Sequence, residues 1–176
     1  LSVHGAKYMK VIISTVLCIM IAIIAIPYSQ LRSMPLESLI ICASNEGGIR
    51  IPAKVCEIYL HSGRNIQEDI VNLNQNDGLT FILHGKNAIK YDIAQFYIDN
   101  GLDINSLSKT TNLTPLYDAV LLNDIENMSF LLENNASLSI PSYRKHPTAI
   151  DYAEALQKND NIDRMDIIRL LKSKQK

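Results

Sequence analysis

Apolar residues are distributed along this chain in two contrasting patterns. Val11 to Ile26 is an unbroken, uncharged run of 16 residues with no polar face. Beyond it, apolar positions come in short groups at helical spacing, interrupted by Asn, Gly and Pro. The clearest group follows Thr114-Pro115, where threonine can cap and proline is tolerated at the first helical position. Asn123-Asp124 breaks that helix. Ile125, Met128, Leu131 and Leu132 then fall at i, i+3, i+6 and i+7, which predicts a second helix. Asn134-Asn135 stops it, because asparagine tolerates the left-handed backbone better than other non-glycine residues. The expected class is all-α.

The same pattern recurs at a fixed interval. Thr80, Thr114 and Thr148 each open an apolar group, 34 residues apart. A period of this size predicts a solenoid of helical hairpins, in which no unit buries its apolar face alone. Units are expected at about 35–77, 78–111, 112–146 and 147–172, with a basic tail at 173–176. In the first unit, Leu39 to Ala43 and Val55 to Ile66 supply the pair, joined by a link holding Gly47, Gly48 and Pro52. In the last, Thr148 to Leu156 and Arg164 to Leu171 do so. Gly63, Gly101 and Asn135 read as matching helix stops.

Residues 11–27 form the second region, between a flank at 1–10 and a linker at 28–34. A secretory apolar core spans about 7–15 residues and a membrane-spanning helix about 20, so the run lies between the two. Cutting after Ala25 or Ser29 would place Ile23 or Pro27 three residues before the cut, and neither suits cleavage. The expectation is an uncleaved transmembrane anchor through residues 11–26, with a cleaved signal and a buried core helix as alternatives. Lys7 and Lys10 upstream predict a cytoplasmic amino terminus and an exported carboxyl-terminal domain. Met9-Lys10 reads as a start, leaving Leu1 to Tyr8 upstream of it.

Charge narrows the function classes. All 18 acidic residues follow position 32, and three of the 17 basic ones (Lys7, Lys10, Arg32) do not. Residues 33–176 thus carry 14 basic against 18 acidic groups, a formal −4, without the basic excess of a nucleic-acid reader. His4, His61, His84 and His146 lack metal-site spacing. No nucleophile elbow, P-loop or dinucleotide fingerprint is present. The expectation is a non-enzyme without metal or cofactor. Glu68-Asp69 reads as a pair of solvated loop charges, and Arg164, Arg169, Lys172, Lys174 and Lys176 as a solubilising terminal cap. The sequons at Asn112, Asn127 and Asn135 read as accidental.

Two stretches resemble the ankyrin repeat. Thr114-Pro115-Leu116…Ala119 is similar to that family's opening Thr-Pro-Leu-His…Ala, and Ile98 to Asn105 resembles its Leu-Leu-x-x-Gly-Ala-Asp-Val-Asn close. Phe81 and Gly85 depart from the opening in the second unit. The resemblance covers about residues 35–172 and implies binding of another protein through loop tips and the exposed side of each first helix. It points to Ser106 to Thr111 with Lys109, to Tyr117 and Tyr152, and to Tyr143, Arg144, Lys145 and His146, an aromatic and donor mixture enriched at interfaces. Threaded on the repeat, Cys42 and Cys56 fall on the two antiparallel helices of the first unit. In an exported domain they could form a disulfide; the alternative is two buried thiols.

The function expected is a membrane-anchored, exported protein-interaction module in the inner membrane of a bacterium, its repeats in the periplasm. Family analogy adds a sharper reading, an immunity protein that neutralises a secreted antibacterial toxin. A cytosolic scaffold with an internal amino-terminal helix, and an envelope factor acting on a small molecule, are the competing classes.

Overall fold

The computed structural model describes residues 13, 15–16, 28–139 and 148–174. Among them the regular structure is helical, and the only β pairing is an isolated antiparallel bridge between Ser139 and Thr148. The apolar run at 11–26 lies almost wholly outside these residues, as do residues 140–147 and 175–176. No described helix is long and apolar enough to cross a membrane.

The chain divides into two compact units, 1–63 and 64–176. In the first, a helical stretch at 28–33 precedes α1 (Leu36–Ala43) and α2 (Ala53–Ser62), which pack on each other. Pro35 and Pro52 start them in extended conformation (ψ 151° and 131°), as a fixed φ and a missing amide dictate. Leu36, Leu39, Ile40 and Leu60 are buried. Cys42 and Cys56, also buried, are joined by a disulfide with Cα atoms 5.9 Å apart. Gly63 stops α2 as expected, but without a left-handed backbone: its φ is −102°. A Cβ there would overlap the Tyr59 ring, which favours glycine.

The second unit opens with a helix where a loop was expected. α3 (Ile66–Gln75) starts at Asn65, whose Oδ1 accepts from the Gln67 amide at 3.2 Å. Ile66, Ile70 and Leu73 then give the i, i+4, i+7 spacing of a helical face. Glu68 is exposed, but Asp69 is buried, so the reading of both as solvated loop charges fails for Asp69. Arg64 closes on its carboxylate with Nε at 2.7 Å and Nη2 at 2.6 Å, a forked arrangement that offsets the desolvation of the charge. The stretch 35–77 therefore holds three helices rather than two, and the unit boundary falls inside it.

Three further helix pairs follow: α4 (Gly78–Leu83) with α5 (Ile89–Asp99), α6 (Pro115–Leu122) with α7 (Ile125–Glu133), and α8 (Ala149–Asn159) with α9 (Met165–Lys174). α4 packs on α6 and α6 on α8, while α7 packs on α9. Asn123 and Asn135 adopt φ of 56° and 63°, as helix stops require. Thr148 caps α8 by accepting from the Asp151 amide at 3.1 Å. Thr114 does not cap α6; its hydroxyl is buried without a partner, and helix entry there rests on proline at the first position.

Arg164 corrects the solvent-facing cap. It is 1% exposed. Its Nε donates to Val120 O at 3.2 Å, its Nη2 to Leu121 O at 3.1 Å, and its Nη1 to Asp160. The guanidinium thus satisfies the orphan carbonyls at the carboxyl end of α6 from the neighbouring helix pair. Arg169, Lys172 and Lys174 are exposed, as a terminal cap requires.

Candidate functional site

The residues expected to bind a partner do not form one patch among the described residues. Lys109 is exposed, on the loop between Leu102 and Leu113. Tyr117 and Tyr152 are not available: they are 0% and 8% exposed. Their rings stack on each other at 5.5 Å with 23° between planes. They lie three and four residues after the threonines that open their helices, Thr114 and Thr148, and face each other across the adjacent helix pairs rather than solvent. Tyr143, Arg144, Lys145 and His146 lie outside the described residues.

The Lys109 loop is held by Asn76 and Asp77, between α3 and α4. Asp77 accepts from the Ser108 hydroxyl at 2.7 Å, the Thr110 amide at 2.8 Å and the Thr110 hydroxyl at 2.9 Å. The Lys109 amide donates to Asn76 O at 3.1 Å. The Ser108 hydrogen bond, joined by those from Thr110, holds the Asp77 carboxyl below the ordinary aspartate range against the opposing effect of burial. Leu107 (42% exposed), Lys109 and Thr110 thereby project from backbone that is already ordered.

A second feature is a cleft of about 380 Å³ at the hairpin turns, walled by Leu83, His84, Lys90, Leu122, Asp124 and Asn127. Leu83 ends α4, and its carbonyl accepts from Lys90 Nζ at 3.0 Å and from Asn127 Nδ2 at 3.1 Å. Tyr91 fixes the Asn127 amide by donating to its Oδ1 at 3.1 Å. His84 Nε2 lies 2.6 Å from Asp118 Oδ2, across one 34-residue period. That hydrogen bond raises the imidazole pKa above its ordinary value, with burial opposing and the Asp118 charge adding.

This pair has a pH consequence. A histidine whose folded pKa exceeds its unfolded one stabilises the fold fully below the unfolded value of about 6.5, and the contribution fades as pH rises through the folded value. Melting temperature is therefore expected to fall as pH rises above about 6.5, and Asp118→Asn should flatten that fall. Imidazole NMR titration checks the cause: an unchanged His84 midpoint in Asp118→Asn would remove it.

Sequence reading missed this cluster, and a signal for it existed. Lys90, Asn127 and Arg164 are spaced at 37 residues, from 90 to 127 and from 127 to 164. Each stands at the start of a second helix and donates to the last carbonyls of a first helix. Different residue types concealed the recurrence, since any long donor serves an orphan carbonyl. No group of three or more His, Cys, Asp or Glu able to hold a metal occurs among the described residues. No family model, curated protein or solved structure matches this chain.

Proposed function

We propose that the chain is a non-enzymatic protein-interaction module, a degenerate ankyrin-like stack of helical hairpins anchored in a membrane by its apolar amino-terminal run and exported. The packing of α4 on α6 and of α6 on α8, with α7 on α9, supports the stacked reading. The Cys42–Cys56 disulfide supports an oxidising compartment. The observation that carries the binding reading is the Asp77 clamp, which orders the Leu107–Thr110 loop before any partner arrives. A loop ordered in advance loses less conformational freedom on association.

The test is partner capture in cells that naturally make the protein, with a crosslinking residue at Thr111. A protein captured by the unaltered loop should be captured about tenfold less after Leu107→Asp with Lys109→Glu, and less after Asp77→Ala. Equal capture by the unaltered protein and both variants would reject the loop as the binding surface.

A further inference from the structure

The hairpin-turn cleft contains a cation whose charge the protein does not match. Lys90 is 8% exposed. Its ammonium carries three N–H groups. One donates to Leu83 O, and the Tyr91 ring centroid lies 5.0 Å away. Among the described residues Lys90 forms no ion pair. Leu83 O already accepts from Asn127 as well, so both its lone pairs are used.

The other charges on the cleft are engaged. His84, which lines the cleft, is paired with Asp118. Asp124 accepts from the Asn127 amide at 2.9 Å and sits at the amino end of α7, where the helix dipole supports a carboxylate. A buried ammonium needs acceptors for its remaining protons, and the aromatic face supplies only part of that. The neighbouring walls are apolar: Leu83 is buried, and Leu122 is 55% exposed at the rim.

We propose that this cleft binds a carboxylate borne on a short aliphatic stem. The carboxylate accepts from the two open N–H groups of Lys90, and the stem lies against Leu83 and Leu122. This chemistry is carried by a glutamate side chain of a protein partner and by a free short-chain carboxylic acid alike. The site is separate from the Leu107–Thr110 loop and stands whether or not that loop binds anything.

Amide NMR on the full chain in detergent micelles tests it. Butyrate should shift the Gly85 and Asn127 amides saturably, whereas butylammonium should not. Lys90→Met should weaken butyrate about tenfold or more, and Lys90→Arg should retain it. A capped Leu-Glu-Leu peptide that binds more tightly than butyrate, and loses that advantage as Leu-Gln-Leu, identifies the protein side chain. Equal affinity identifies the free acid, and either result supports the site. No saturable butyrate shift, equal shifts with butylammonium, or unchanged affinity in a folded Lys90→Met would overturn it. Should Lys90→Met fail to fold, the comparison of the two ions on the unaltered protein decides alone.

Discussion

Arg164→Met should destabilise the second unit by about 3 kcal/mol, measured as a shift in the urea midpoint followed by circular dichroism. Methionine keeps the aliphatic volume, so the loss reports hydrogen bonding rather than a cavity. Leu121 O loses the guanidinium nitrogen at 3.1 Å, and Val120 O is left with a 3.3 Å bond from the Asn123 amide. A buried carbonyl left without a donor costs about 1–3 kcal/mol. Asp160, by contrast, is 35% exposed in its side chain and regains water, so it adds little. Arg164→Lys should recover only part of the loss, because an ammonium cannot reach two carbonyls and a carboxylate with a planar fork. A midpoint unchanged in Arg164→Met would show that α6 and the last helix pair are not joined through this side chain.

Removing the disulfide should have a comparable effect on the first unit. Cys42 and Cys56 are 14 residues apart, and closing a loop of that size contributes about 3 kcal/mol in the chain-entropy model. Cys42→Ala with Cys56→Ala, or reduction of the unaltered protein, should therefore lower the thermal midpoint of α1 and α2. Alkylation followed by mass spectrometry checks the premise. One cysteine, Cys18, should react in the unfolded, unreduced chain, and all three after reduction. Three reactive thiols without reductant would remove both the bridge and its support for export.

The sequence is most legible where local chemistry and tertiary packing agree. Pro115 at a helix start, Asn123 and Asn135 at left-handed stops, and apolar residues from Ile125 to Leu132 at helical spacing all specify their backbone locally. The α6–α7 pair follows from those residues directly. α3 was missed because its apolar face is short and interrupted by Glu68, Asp69 and Asn72. It rests on the Asn65 cap and on Arg64, which makes a buried Asp69 tolerable. Gly63 marks its helix end correctly, but glycine serves either a left-handed turn or a close neighbour, and only the position of Tyr59 shows which.

Taken by itself, the sequence determined the helical class, the 34-residue recurrence, most helix boundaries in the second unit and the charge balance of residues 33–176. These depend on spacing, capping and charge count, which act over a few residues. Tertiary structure alone decided which side chains solvent reaches. Tyr117 and Tyr152 turned inward to stack, Arg164 went from tail charge to buried clamp, and Lys90 became a cation on a cleft. Exposure depends on what an adjacent helix covers, and that neighbour is tens of residues away in the chain.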